Sequence, residues 1–333
     1  MNADRVAVHG AGLAGLTCAL LAARDGGAVT LVGGEPAGPP TELVLNEATV
    51  ALLTSLWGEV DGHRLTGRWS RWGIDAGPVQ TPSTALVVNE QRLVAVLAER
   101  LPDRVERAET APPADWTIRA SARPAGNPPV GRRVAITGYA PMSETRVSRM
   151  ATTWRGWVQA VPLGDGRGFL RAVSPVPPDD PEDFLGAEIE AAGLDEWVVG
   201  PPERVVVAPA APWLSRQRAE PGRLHVGGGV LRLDPLSGSG AGQAMRTAML
   251  ATAVVRDGRP AADLLGDYHR RLGAAFHRHL IGCTANYRTA FDSAEWAGEL
   301  HITATALAGH AAQLHSRSGG PVFTGRRDVA AMT

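Results

Sequence analysis

Between Val6 and Val32 the chain reads V-A-V-H-G-A-G-L-A-G-L-T-C-A-L-L-A-A-R-D-G-G-A-V-T-L-V, and no other stretch limits the fold as much. A short apolar run, glycines at 10, 12 and 15, an Ala/Leu-rich segment and a second apolar run spell strand, turn, helix, strand. Gly10 permits the tight turn, Gly12 lets backbone approach a diphosphate, and Gly15 lets helix and strand pack closely. The helix opening at Leu13, Ala14 and Gly15 then turns its N–H groups and dipole toward an anion. The bland alternative is a glycine-containing βα turn with no ligand.

The 333 residues suffice for one large or two moderate domains with a substantial core. With 44% hydrophobic and 20% charged residues the composition is that of a globular protein. A net charge of −1 gives no electrostatic case for nucleic acid or an anionic membrane as partner. The longest apolar helical run, Ala248–Val255, is too short to cross a bilayer. Val6 already begins a strand, so no signal peptide is read. Cys18 and Cys283 have no CxxC or metal spacing and read as buried free thiols, an expectation that places the chain in the cytoplasm. All 33 basic residues are arginine; lysine is absent.

Strands are expected at 5–9 and 28–32 around a helix at 13–25, and a helix at 46–57. Residues 61–83 read as loop with short strands, 86–88 as a strand, and 90–101 as a helix. Val105 and Trp116–Ile118 return to the first sheet. Strands follow at 134–139, 153–161 and 168–173, the last two joined by the turn Gly164-Asp165-Gly166. A helix near 182–192 precedes buried strands at 205–207 and 224–226. A helix from Ser239 to Arg256 and helical texture from Ala261 to His315 complete the chain. The expected organisation is α/β, a Rossmann-like nucleotide domain from 1–130 and 203–260. It carries an antiparallel substrate sheet at 131–202, a helical region at 261–316 and a flexible tail at 317–333.

At Leu224–Ala244 the chain reads L-H-V-G-G-G-V-L-R-L-D-P-L-S-G-S-G-A-G-Q-A. A glycine-rich turn feeding a helix places backbone N–H groups around a phosphate or a ring carbonyl. The alternative is a helix entry with Asp234 as its cap. The segment resembles the second FAD-binding motif of the FAD-dependent monooxygenase and tryptophan-halogenase superfamily. Its D-P-L-S-G-S-G form is most similar to the maturation flavoproteins of quinohemoprotein amine dehydrogenase and of lysine and glycine oxidases. Thr41-Glu42, Trp72-Gly73, the run Gly156–Pro162 and the segment Tyr268–Trp296 resemble that branch as well.

The resemblance implies an FAD site built from Gly10, Gly12, Leu13, Ala14, Gly15, Gly227, Asp234, Pro235, Gly238, Ser239 and Gly240. It also implies an activity: oxygen transfer from a flavin C4a-hydroperoxide to an aromatic, tryptophan-type side chain, free or held in a peptide or protein. No second βαβ glycine fingerprint provides a nicotinamide domain, so electrons would come from transiently bound NAD(P)H or a separate flavin reductase. Halogenases of the superfamily need an active-site lysine, which this chain does not have.

Four polar positions depart from the family. Gly33 stands where an acidic residue accepts from the adenosine ribose, with Glu35 a nearby substitute. Gly228 stands for the ribityl-binding Asp, Glu90 for an arginine (Arg92 is close), and Arg119 for an Asp. Each lost hydrogen bond to a charged group is worth about 1.5–3 kcal/mol. The sequence therefore also supports a relative without catalysis, serving as a binding or assembly partner in peptide modification. A flavin dehydrogenase that inserts no oxygen is a third possibility.

No side chain is singled out as a base. Glu42 is one candidate, its alternative a solvated loop carboxylate. His225 is another, its alternative a hydrogen-bonded strand end. Trp69, Trp72, Trp154 and Trp157 could line an aromatic pocket or serve the core. Arg216 and Arg218 are candidate contacts to a peptide carboxylate. The histidines at 269, 277, 279, 301, 310 and 315 show no zinc spacing, so no metal site is expected.

Overall fold

The computed structural model describes residues 5–34, 41–73, 75–120, 128–215, 219–257 and 261–316. Its opening unit is strand β1 (Arg5–His9), helix α1 (Leu13–Arg24) and strand β2 (Ala28–Val32). The strands pair in parallel from Arg5↔Ala28 to His9↔Val32. The small side chains of α1 are buried along nearly its whole length, because the helix is covered on more than one side. Next come β3 (Glu42–Asn46), α2 (Glu47–Trp57), β4 (His63–Arg71), β5 (Val79–Asn89) and α3 (Glu90–Glu99). Then β6 (Val105–Ala108) and β7 (Trp116–Arg119) rejoin the first sheet.

The middle of the chain supplies β8 (Val134–Pro141), β9 (Val147–Thr152), β10 (Trp157–Pro162), β11 (Arg167–Ser174), α4 (Pro181–Ala191) and β12 (Glu203–Pro209). The two-residue strands β13 (Trp213–Leu214) and β15 (Leu231–Arg232) pair on either side of β14 (Arg223–His225) in the sequence. Helices α5 (Gly240–Arg256), α6 (Ala261–Ala290) and α7 (Ala294–Ser316) follow. One sheet is parallel, in the order β14-β7-β1-β2-β6. The other has eight strands, in the order β12-β8-β11-β10-β9-β4-β5-β3, antiparallel but for the β4–β9 pair.

The largest core lies between the parallel sheet, α1, α2, α3, α5 and α6, with Leu16, Leu53, Leu97, Leu224 and Leu280 essentially inaccessible. Each such leucine contributes about 1.5–3 kcal/mol. A second core, around Leu170, Leu185 and Leu194, fixes α4 to one face of the eight-stranded sheet. A third holds Trp157, Tyr287, Phe291 and Trp296 together, joining β10 to α6 and α7.

Three sequence expectations are corrected. Residues 61–83, expected as loop with short strands, instead hold the whole of β4 and the start of the long strand β5. Charged and polar residues interrupt both strands (Arg64, Thr66 and Arg68 in β4; Gln80, Thr81 and Ser83 in β5), so this stretch lacks an apolar signature. Pro82 is tolerated there because it faces Gly67 where the register shifts. The expected strand at 153–161 begins only at Trp157, as β10. Residues 153–156 form the turn that leads into it from β9, a strand the sequence did not show, and in that turn the Thr153 N–H donates to the Gly156 carbonyl at 2.7 Å. The strand around 205–207 is an edge strand of the eight-stranded sheet, half exposed and paired with β8, not a buried one. That sheet thus draws on residues 42–89 and 203–209 as well as 134–174.

Candidate functional site

Because β1 and β14 run parallel in one sheet, the turns that follow them open at the same carboxyl edge, where ligands of open α/β sheets bind. At the first turn the Gly10 N–H donates to the Val32 carbonyl at 2.8 Å. A Cβ on Gly15 would fall inside the van der Waals shell of the Gly10 carbonyl, so helix and turn touch as closely as backbone allows. At the second, Gly227 lies against Ala14 and donates its N–H to Thr247 Oγ1 at 2.8 Å. Thr247 is seven residues into α5, so the start of that helix stands about 10 Å beyond the level of Gly227. There Gly242 abuts Thr49 in the first turn of α2.

The helix ends separate these two turns from the rest of the molecule. Asn46, Asn89 and Asp180 cap α2, α3 and α4 through their side chains, and each of those helices has an acidic first turn. Helices α6 and α7 carry Asp263 and Glu295 there. Only α1 and α5, the helices fed by the glycine motifs, have neither a capping side chain nor an acid in the first turn among the described residues. Their uncapped N–H groups and uncompensated dipoles suit an anion. A diphosphate on α1 and a ring system toward α5 fit this pair of openings. Gly12 and the N–H groups of Leu13, Ala14 and Gly15 would hold the former; the turn Pro235–Gly240 would hold the latter.

Of the remaining expected contacts, Gly238 ends a 3-10 turn (Pro235–Ser237) in the left-handed region, and the Ser239 hydroxyl bonds to Ser237 Oγ at 2.9 Å. Arg92 is exposed on the first turn of α3. Glu35, Arg216 and Arg218 lie outside the described residues. Gly33 has a φ of +99°, a conformation that side-chain-bearing residues rarely adopt, whereas a Cβ at Gly228 would meet nothing within 4 Å.

The Asp234 carboxylate is fully engaged within the protein. Its Oδ1 accepts from Tyr287 Oη at 2.8 Å and from the Leu236 N–H at 2.9 Å; its Oδ2 accepts from Arg133 Nε at 2.9 Å. Arg133 also donates to Glu299 Oε2 at 2.6 Å. The Asp234 N–H donates to His279 Nε2 at 2.8 Å. Burial opposes the Arg133 charge, yet Asp234, Tyr287 and Glu299 together hold its pKa above the ordinary arginine value. Burial lowers His279 to about 4. The Leu236 bond is the local cap that the sequence offered for Asp234. The bonds that bring in Arg133, Tyr287, His279 and Glu299 escaped the sequence because they join residues more than forty positions apart.

The face of the eight-stranded sheet that carries Trp157 also carries Arg171, in register with Gln159 and Thr137 on the neighbouring strands. Its guanidinium packs 5.1 Å from the Phe169 ring, and burial lowers its pKa to about 10 against the opposing influence of Asp234. An arginine between a sheet and a cofactor motif can orient an electron-rich or anionic group. Nothing in the alternation of β11 marks it out from a solvated arginine.

The two candidate bases sit in different sheets. Glu42 is not in a loop but begins β3, buried, its Oε1 accepting from Asn89 Nδ2 at 3.1 Å, with Tyr139 Oη at 3.5 Å. His225 ends β14, and its carbonyl accepts from Tyr268 Oη. His9, Arg119 and His225 are in register at the ends of β1, β7 and β14. Burial first, then Arg119, lowers the pKa of both histidines, with Arg223 adding to the shift at His225. The four tryptophans do not line one pocket. Trp157 and Trp72 join the α6–α7 aromatic cluster, Trp69 lies by Trp197 and Arg149, and Trp154 is 66% exposed.

Two glycine turns at one sheet edge, a second broad sheet and a closing helical pair define the fold of flavin-dependent halogenases and FAD-binding oxygenases. The flavin-dependent halogenase CmlS matches with a TM-score of 0.75 at 15% identity, over 96% of this chain and 72% of its own. The peptidyl tryptophan dihydroxylase QhpG, essential for tryptophylquinone cofactor biogenesis, matches with 0.66 at 19% identity, over 96% and 77%. Klebsiella pneumoniae HpxO, complexed with FAD and uric acid, matches with 0.67 at 17% identity, over 95% and 97%. No protein-family model and no curated protein sequence matches the chain. No helix among the described residues is long and apolar enough to cross a membrane.

Proposed function

We propose that this chain is an FAD-dependent oxygenase acting on an aromatic ring of the tryptophan type, free or within a peptide. One observation carries the reading: the two helices lacking both cap and first-turn acid are the two that open at the carboxyl edge of the parallel sheet. Bound and reduced, FAD would supply the two electrons that activate dioxygen, one of whose oxygen atoms passes to the ring while the other leaves as water. The chain's own residues bind and orient. The α1 opening holds the diphosphate, the Pro235–Gly240 turn holds the ring end, and Arg171 with Gln159 positions the substrate. With no lysine in the sequence, halogen transfer through a lysine amine is not part of the proposal. Reducing equivalents come from transiently bound NAD(P)H or a separate flavin reductase.

A non-catalytic role in a peptide-modifying assembly is the second reading. Its support is the backbone at Gly33, where an acidic ribose acceptor is strained, and the bare Gly228. Titrating the purified chain with oxidised and reduced FAD separates the two. Saturable binding, followed by substrate-dependent oxygen uptake and a product gain of 16 or 32 Da (about one or two oxygen atoms), establishes the oxygenase. Absence of binding in both redox states rejects it.

A further inference from the structure

A cleft of about 500 Å³ opens between the β9–β10 turn, the segment after β11, the start of α4 and the start of α7. That volume is the size of a ligand site, and none of its lining residues belongs to either glycine motif. Its wall is apolar: Trp154, Phe184 and the proline-rich run Pro175-Val176-Pro177-Pro178. Trp154 is 66% and Val176 51% exposed, which is large for such side chains outside an interface. Four carboxylates, Asp179, Asp180, Asp183 and Glu295, complete the lining. Asp180 caps α4 through Oδ1, but none of the four makes an ion pair among the described residues. The one cation in the lining, Arg155, is taken: its Nε donates to Glu188 at 2.6 Å, and its guanidinium lies 4.6 Å from the Phe184 ring and 5.2 Å from the Trp154 ring.

We propose that this cleft docks a basic segment of a partner polypeptide, the apolar stem of an arginine or lysine packing on the exposed surface of Trp154 and the proline wall while Asp179, Asp183 and Glu295 neutralise its charged end. Charge complementarity selects the occupant: Asp180, Asp183 and Glu295 face helix N-termini but have no side-chain counter-charge among the described residues, and an apolar wall beside such an acidic lining favours a cation carried on an apolar stem. The wide mouth favours a peptide over a small cation, which would leave the proline wall uncovered. Three of the four residues from Pro175 to Pro178 lack a backbone N–H, so the occupant is read through side chains and not as an added strand. The inference needs no bound flavin and stands or falls apart from the oxygenase proposal.

Calorimetric titration of the full chain, without flavin, with acetylated and amidated tetra-arginine tests it. The expected result is saturable binding with a sub-millimolar Kd, weakened at least tenfold by Trp154→Ala and by the combined Asp179→Asn, Asp183→Asn, Glu295→Gln variant. Asp180 is retained to keep the α4 cap, and an unchanged thermal midpoint verifies folding. Tetra-glutamate should not bind, and raising the salt from 0.05 to 0.5 M should weaken tetra-arginine binding, a choice of about tenfold in ionic strength to shorten the screening length. Undetectable binding, or equal binding to wild type and both variants, overturns the proposal.

Discussion

Arg133 Nε donates to Asp234 Oδ2 at 2.9 Å, and neither side chain is more than 1% exposed. Arg133 immediately precedes β8, and Asp234 opens the turn into α5. The bond therefore ties the eight-stranded sheet to the second glycine motif, and Tyr287 and Glu299 extend it to α6 and α7. The family resemblance places Asp234 in a cofactor motif. The geometry explains its presence differently: the carboxylate holds the turn, and the following backbone is what a ligand would meet.

Replacing Asp234 by Asn would leave a buried guanidinium with only Glu299 as counter-charge. Breaking such a pair costs about 3–5 kcal/mol. Urea unfolding of Asp234→Asn should show a loss of that order at neutral pH, whereas Tyr287→Phe, which removes two hydrogen bonds, one to Asp234 and one from Trp157 Nε1, should cost about 2 kcal/mol. Equal losses for the two variants would mean that the ion pair is not the joint.

The parts of the fold legible in the sequence were those with local signatures. The Val6–Val32 unit, the 46–57 helix and the Gly164–Gly166 hairpin each rest on residues close in the chain. Strands β4 and β9 and the first half of β5 were not legible, because Arg64, Thr66, Arg68, Gln80, Thr81, Ser83, Ser148 and Arg149 interrupt the apolar alternation, whereas the 86–88 end of β5 was read as a strand. At the site, the glycine turns could be read, but the commitment of Asp234, the burial of Glu42 and the placement of Arg171 could not. All three depend on pairing between strands or helices distant in sequence.

Two positions where the family carries an acid are expected to respond differently to repair. Gly228 has open space at its Cβ position, so Gly228→Asp should fold normally and restore a ribityl contact. A hydrogen bond of about 1.5–3 kcal/mol corresponds to an FAD affinity gain of roughly tenfold or more. At Gly33, a φ of +99° strains any side chain by about 1–3 kcal/mol, so Gly33→Asp should bring no net gain. Fluorescence titration of FAD against each variant measures both outcomes, and tighter binding only in Gly33→Asp would contradict the geometry.

Gly15→Ala should damage the nucleotide edge. The added methyl collides with the Gly10 carbonyl, and the backbone must move because no flexible side chain stands there to yield. Overpacking of this kind costs about 1–3 kcal/mol, and a displaced α1 turns its N–H groups away from the diphosphate. The expected outcome is a lower thermal midpoint together with at least a tenfold loss of FAD affinity. Gly26→Ala, at a turn remote from the ligand edge, has open space at its Cβ position but a φ of +90°, so it too should lower the thermal midpoint while leaving FAD affinity unchanged.

His279 makes the same joint sensitive to acid. Its Nε2 accepts the Asp234 N–H, which requires the neutral ring, and burial lowers its pKa from 6.5 to about 4. A histidine whose pKa is lowered by folding binds its proton more readily in the unfolded chain. Its contribution to stability is therefore complete above about pH 6.5 and is lost as pH falls toward 4. The displacement corresponds to about 3 kcal/mol at most. Since the lost bond anchors the turn leading into α5, FAD affinity should fall over the same interval. His279→Gln keeps an acceptor but cannot titrate, so its unfolding free energy should vary less between pH 7 and pH 4.5 than that of the wild type. The lowered pKa values of His9 and His225 act in the same direction and remain in the variant. Only the difference between the two stability profiles belongs to His279, and profiles that run parallel would remove it from the acid response.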